Sequence, residues 1–308
     1  MDERLRVGVI GPGAMGCLFG GLLALAGHEV WMLCRRPDQA ELLERQGLIV
    51  ERDGVERRAA VRATADPRRA APLDFALVLV KSYATAAAAR ALLPALGPIG
   101  WVLTLQNGLG NAETLAAVLG RERLLAGVSS QGATLLGPGR VRHAGFGPNA
   151  VTDLAGGATE RARWAAEVLS AGGLPTEVAD DLAPLVWGKL VANSAINPLT
   201  ALTGRRNGEL LDAPVGPLLD ELARETAAVA EAAGVPLSFE DPAAHARAVA
   251  RATAANRSSM LQDIELERQT EIGALNEAVV AEGARLGVPT PLNRAISALI
   301  RDLERRGA

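Results

Sequence analysis

Two cysteines and three histidines are all that this 308-residue chain offers to disulfide or metal chemistry. Cys17 and Cys34 do not stand at metal or redox spacing, and His28, His143 and His245 fall in unrelated contexts. A disulfide framework, a zinc site and a histidine-based triad therefore lack support, and no metal is expected. Positive charge is not in excess: the formal net charge is −3, with arginines scattered among acids, so the basic footprint of nucleic-acid binding is missing. Apolar runs such as Phe75–Val80 fall far short of the ~20 residues that a membrane helix needs. The opening MDERLRVGVI enters a strand without the apolar core of a signal peptide, and a cytoplasmic protein is expected.

What is present is apolar residue in abundance, 49% of the chain, which suffices for sizeable cores, and a length that suggests two domains. Arg6–Ile10 reads as a buried strand and meets Gly11-Pro12-Gly13-Ala14-Met15-Gly16 directly. A helix over Cys17–Ala26 and a second strand over Glu29–Leu33 follow. Strand, GxGxxG, helix, strand is the context of the dinucleotide fingerprint, with the pyrophosphate on the helix N-terminus. At the end of the second strand, where an acid would bind the ribose of NAD, the chain has Arg35 and Arg36. A guanidinium there pairs with a 2′-phosphate, which favours NADP(H), and Arg35 is the better placed of the two.

Farther on, Gly47–Val61 carries a hairpin signal, expected as an insertion on the sheet. Phe75–Val80 reads as a parallel strand delivering Lys81, and Ala84–Leu96 as a returning helix broken by Gly97-Pro98. Trp101–Leu105 reads as another strand, delivering Asn107. Ligands of open α/β sheets bind outside the carboxyl ends of the strands, so Gly11, Arg35, Lys81 and Asn107 are expected around one crevice. Leu124–Val151 is β-rich, with His143 read as structural; a helix over Ala158–Ala171 and a strand over Leu174–Ala179 complete this part. Near Asp180 alternating elements give way to helices alone. The expected fold is α/β, with an N-terminal Rossmann-type dinucleotide-binding domain over 1–180 and an all-α C-terminal domain over 181–308.

Within that second domain, Lys189, Asn193 and Asn197 recur every four residues among apolar neighbours. Each step drifts by only about 40° around a helix, so the three form one narrow polar stripe. An ammonium and two amides on such a face need partners, and a polar substrate supplies them. Pro198 is expected to end the stripe in a loop. Residues from Leu261 to Ala278 repeat at three and four, which predicts one long helix with Glu271 on its inward face, paired with Lys189. Ser259 and Gln262 have the spacing of a capping box, and a helix start there also attracts a substrate carboxylate.

These residues resemble the ketopantoate reductase (2-dehydropantoate 2-reductase) family from Val7 to about Pro291. The resemblance is carried by GPGAMG at 11–16, QNGLGN at 106–111, WGKLVANSAINPLTAL at 187–202, NGEL at 207–210 and NRSSMLQDIELERQTEIGALNE at 256–277. It implies NADPH-dependent reduction of ketopantoate to pantoate, with Lys189 as proton donor and Glu271 as its partner near the nicotinamide ribose. It implies also that Asn107 touches cofactor and substrate, and that Asn193, Asn197, Asn207 and Ser259 hold the substrate. Arg35 and Lys81 would then serve the phosphate end of NADP, and the backbone at Ala133 would line the cofactor. A small 2-oxo acid is the expected partner, with no nucleic acid and no membrane, and with monomer and homodimer both open. The nearest alternative is a β-hydroxyacid dehydrogenase, which shares the glycine loop and a lysine followed four residues later by asparagine but not the INPLTAL and SSMLQD segments. A non-catalytic NADP sensor is the other; it has no need of the Lys189–Glu271 pair.

Overall fold

In a computed structural model, residues 4–306 are described. They form two compact units, residues 4–106 with Asn111–Leu182, and Asn107–Gly110 with residues 183–306.

The first unit runs β1 (Arg6–Ile10), α1 (Ala14–Leu25), β2 (Glu29–Leu33), α2 (Pro37–Gln46), β3 (Leu48–Arg52), β4 (Val55–Ala59), β5 (Arg62–Thr64), β6 (Leu73–Val78), α3 (Thr85–Leu92), β7 (Leu96–Thr104), α4 (Asn111–Leu119), β8 (Leu124–Ser129), β9 (Gly132–Gly137), β10 (Arg140–Gly145), β11 (Asn149–Asp153), α5 (Glu160–Ala171) and β12 (Thr176–Val178). Eight strands make one sheet in the order β12-β11-β8-β7-β6-β1-β2-β5. β1 lies between β2 and β6, parallel to both. Helices cover both faces, which is why Val7, Val9, Phe75 and Leu77 have no exposed surface and why the central strands are apolar throughout. The strand order reverses beside β1, so the loop from β1 to α1 opens at the switch point of the sheet.

The expected hairpin forms, as β3 and β4, but not on this sheet. It joins β10 and β9 in a separate sheet of order β4-β3-β10-β9. Glycine on α1 makes the second sheet possible: a Cβ on Gly21 would lie 2.4 Å from Val50 Cγ2. Gly97-Pro98 does not simply break α3 either. Both residues lie inside β7, in an irregularity between the Leu73–Leu96 and Phe75–Trp101 pairs, where proline is tolerated because the ladder is already interrupted.

Helices make up the second unit: α6 (Ala183–Thr203), α7 (Gly216–Ala232), α8 (Pro242–Ala252), α9 (Ser259–Glu265), α10 (Asn276–Leu286) and α11 (Pro291–Arg306). The expected α/β plus all-α organisation is therefore the one observed. Two expectations fail within it. α6 does not stop at Pro198; the proline lies inside the helix. An interior proline costs about 3 kcal/mol, and here burial of Leu190, Val191, Ile196 and Leu199 in the core outweighs it. Nor do Leu261–Ala278 form one helix. α9 closes at Leu266, Glu267 takes a left-handed φ of 51°, and Arg268 N bonds back to Asp263 O at 2.8 Å. Only Leu261 and Ile264 of the three-and-four repeat lie on α9 and only Ala278 on α10; Arg268, Glu271 and Leu275 fall in the turn between them.

Candidate active site

The glycine loop of the first unit is built from backbone and open space. Gly11 has φ 102°, and a Cβ there would lie 2.8 Å from Val80 N. On Gly16 it would lie 2.0 Å from Gly11 O, so this glycine lets α1 pack against the turn. Gly13 is different: a Cβ would meet nothing within 4 Å. Gly13 is also the N-cap of α1, with no side-chain cap and no acid in the first turn. The free N–H groups and the positive end of the helix dipole therefore face open space, the arrangement that suits a pyrophosphate. Pro12, Ala14 and Met15 complete the loop, and Pro12 O accepts from the buried Cys17 thiol at 3.6 Å. Burial pushes Cys17 up to about 12 and Cys34 up to about 11, so both thiols are inert at neutral pH.

Arg35 and Arg36 follow β2 as exposed residues. Arg36 is held by Asp38 at 2.9 Å, whereas Arg35 makes no ion pair among the described residues. Lys81 lies three residues past β6 and caps a short 3-10 turn over Ser82–Ala84. Gln106, at the end of β7, ties that turn to its own strand: its Nε2 donates to Val80 O and Thr85 Oγ1, both at 2.8 Å, and its Oε1 accepts from Thr104 Oγ1 at 2.9 Å. Nothing in the local sequence marks Gln106 for this bonding role beyond its place beside Asn107 in the QNGLGN segment. Ala133 lies on β9, the edge of the smaller sheet, and faces His143 of β10 across the ladder. His143 is structural: its Nε2 lies 2.6 Å from Gln131 Oε1 and its ring packs on Phe146. Among the described residues no group of three or more His, Cys, Asp or Glu could hold a metal, and no helix is long and apolar enough to cross a membrane.

The second unit gathers side chains. Lys189, Asn193 and Asn197 all lie on α6, now four residues apart on one continuous helix. Lys189 and Asn193 keep partial exposure, and Asn197 is 7% exposed. Neither amide makes a side-chain hydrogen bond among the described residues. Burial pushes the Lys189 ammonium down to about 8, and the Glu271 carboxylate acts against that fall. Glu271 is buried and sits in the turn between α9 and α10, where its carbonyl accepts from Ala274 N at 3.0 Å. Thr270 fixes the turn on one side, its N–H and Oγ1 donating to Glu304 at 2.7 and 2.6 Å. On the other side Leu109 N donates to Ala274 O at 2.9 Å. Gly108 permits this approach: it has φ 83°, and a Cβ would lie 2.2 Å from Ala274 O. Asn107 is thereby carried into the same unit as Glu271.

Asn207 and Ser259 lie farther along the unit. Asn207 is buried; its Nδ2 donates to Thr253 Oγ1 at 2.9 Å, and its Oδ1 has no partner. Ser259 is exposed and is the first residue of α9, not its cap. The cap is Ser258, whose Oγ accepts from Leu261 N at 3.0 Å and from Thr200 Oγ1 at 2.6 Å. The cap thus stands one residue before the box expected at Ser259, and no box forms: Leu261 is the third residue after Ser258, and Gln262 Nε2 donates to Arg257 O at 2.9 Å, which leaves the Ser259 hydroxyl available to a ligand. The Gln262 spacing favours Ser259 over its neighbour, but in the folded chain that glutamine bonds elsewhere.

The model of the family described as ketopantoate reductase PanE/ApbA matches residues 7–156, and its C-terminal counterpart matches 181–304. This chain belongs to the ketopantoate reductase family. Within that family, a 2-dehydropantoate 2-reductase of Halobacterium salinarum is 38% identical over 98% of this chain and 100% of its own. A solved ketopantoate reductase from Ralstonia eutropha JMP134 is 36% identical, with 98% of this chain and 99% of that chain covered at a TM-score of 0.90. D-mandelate dehydrogenase, solved with NADH and anilino(oxo)acetate, shares the fold at a TM-score of 0.92 and 24% identity, over 98% of each chain. Membership of the ketopantoate reductases makes the chain an oxidoreductase.

Proposed function

We propose that the chain is a 2-dehydropantoate 2-reductase that uses NADPH to reduce ketopantoate to pantoate. The observation that carries this reading is the α6 stripe: a lysine lowered to about 8 by burial, a buried carboxylate acting on it, and two amides without protein partners. In the first unit the Gly11–Gly16 loop would hold the pyrophosphate, Arg35 and Lys81 the 2′-phosphate end, and the backbone at Ala133 a flank of the cofactor. The nicotinamide, when bound, supplies the hydride. Lys189 binds and polarises the ketone oxygen and gives up its Nζ proton as the alkoxide forms, a role that suits a lysine titrating near neutrality. Glu271 keeps that lysine charged. Asn107, Asn193, Asn197, Asn207 and Ser259 orient the hydroxyl and carboxylate of the substrate.

Support for a nicotinamide cofactor comes from the open space at Gly13, the uncapped start of α1, the family, and the NADH held by the fold-related D-mandelate dehydrogenase. Support for the phosphorylated form comes from unpaired Arg35 and the absence of an acid at that strand end. The test is loss of NADPH absorbance with purified protein and ketopantoate, run beside NADH and other branched 2-oxo acids. NADPH-dependent turnover of ketopantoate is expected. Turnover of a different 2-oxo acid alone would replace the substrate, and NADPH binding without turnover of any would remove the enzyme.

A further inference from the structure

Pro198 removes the N–H that would bond to the carbonyl of Ser194, four residues back, and its ring presses against that same carbonyl. Ser194 is 0% exposed, so solvent water does not supply the missing donor. Asn276 does: its Nδ2 lies 2.8 Å from Ser194 O. The second hydrogen of that nitrogen goes to Asn293 Oδ1 at 2.9 Å. Asn293 in turn donates its own Nδ2 to Glu225 Oε2 at 2.8 Å. Glu225, on α7, also accepts the Leu292 and Asn293 backbone N–H groups at the start of α11, each at 2.8 Å.

One end sets the direction of this chain of bonds. An ionised carboxylate only accepts, so Asn293 must turn its NH2 towards Glu225 and its oxygen towards Asn276. Asn276 must then present its NH2 both to Asn293 and to Ser194; a flipped amide would face two acceptors. Both asparagines are 0% exposed, and the atom left over, Asn276 Oδ1, is buried without a partner. A charge on α7 thereby aims an amide on α10 at a carbonyl on α6.

The repaired gap spans Ser194 to Pro198 and encloses Asn197, so its geometry sets how Asn197 is directed relative to Lys189. Asn276 also opens α10 at the end of the turn that carries Glu271. We infer that Asn276 is a positioning residue: it holds α6 on its proline-interrupted path and locks the Glu271 turn to the Lys189 stripe. The inference rests on α6 being the substrate helix.

Pro198→Ala returns a backbone N–H to Ser194 O, which makes a double-mutant cycle with Asn276→Ala decisive. Each variant is followed by urea unfolding, NADPH affinity, and kcat/KM for ketopantoate. Asn276→Ala alone should lower kcat/KM by about tenfold or more and lower the unfolding midpoint, with NADPH affinity retained. In the Pro198→Ala background both losses should shrink several-fold, because the backbone now supplies the donor. Additive losses overturn the inference, as does coupling in unfolding with no change in turnover. Should Asn276→Ala fail to fold, Glu225→Gln keeps the shape but releases the direction of the amides. It should give a smaller loss that Pro198→Ala relieves, and equal losses in the two backgrounds overturn the inference. If the parent chain does not reduce ketopantoate, the substrate reading falls, while the unfolding cycle still decides whether Asn276 repairs α6.

Discussion

The glycine loop of the first unit and the polar stripe of the second are made in opposite ways. The loop needs what is absent: no Cβ at Gly13, no cap on α1, no acid in its first turn. The stripe needs what is present, and what is distant in sequence: Glu271, Thr270 with Glu304, Leu109 on Ala274, and Asn276 on Ser194. A site made of backbone tolerates little added volume. A site made of side chains tolerates little loss of support.

Removing the stripe's charge should break the comparison most severely. Lys189→Met is expected to lower kcat roughly 10³-fold while NADPH affinity stays within experimental error. The same variant should be more stable than the parent at neutral pH. Below about 8 the lysine is protonated in both states, and the folded chain bears the whole desolvation penalty. Between about 8 and 10.5 the folded lysine has lost its proton and the unfolded one has not, so parent stability rises with pH through that window. The advantage of Lys189→Met at pH 7, on the order of 3 kcal/mol at 1.36 kcal/mol per unit, should therefore vanish above pH 10.5. Urea unfolding at several pH values measures it, and an advantage that grew with pH would contradict the burial of the ammonium.

Next in size is a contrast between two glycines. Gly13→Ala, which adds a methyl to open space, should leave the unfolding midpoint in place and raise the NADPH Kd by about 10²-fold. Gly108→Ala should instead lower the midpoint, because its φ of 83° and the nearby Ala274 carbonyl leave no room. Normal NADPH binding by Gly13→Ala would end the backbone-cradle account. A smaller effect separates the two arginines: Arg35→Ala should weaken NADPH about tenfold and NADH little, whereas Arg36→Ala, already paired with Asp38, should change neither much. Equal weakening of both cofactors by Arg35→Ala would move the 2′-phosphate elsewhere. Smallest is the serine pair. Ser258→Ala should cost about 1 kcal/mol of stability as a lost cap, and Ser259→Ala should leave stability unchanged and raise KM; the reverse outcome would restore the box expected at Ser259.

The same contrast explains what the sequence disclosed. β1, the glycine loop, β2 and the change to helices near Asp180 were legible because each is a local pattern of strand, turn and period. The stripe was legible too, since its spacing lies within one helix. What surrounds the stripe was not. A proline argues for a helix end at residue 197, and only a distant amide on α10 supplies the donor that the interior position lacks. Likewise, the period over Leu261–Ala278 could not reveal Glu267, whose left-handed backbone divides the run and puts Glu271 in a turn. Nor does a hairpin signal state which sheet it joins; through β3 the hairpin pairs with β10, some ninety residues away.

The excursion of Asn107–Gly110 has a consequence for anyone recombining these proteins. The chain passes between the units at 106/107, 110/111 and 182/183, so the second unit is not a contiguous segment. Leu109 packs into its core. A chimera cut once near residue 182 would pair one parent's helices with the other parent's tetrapeptide, and a clean transplant must carry those four residues along with the C-terminal half.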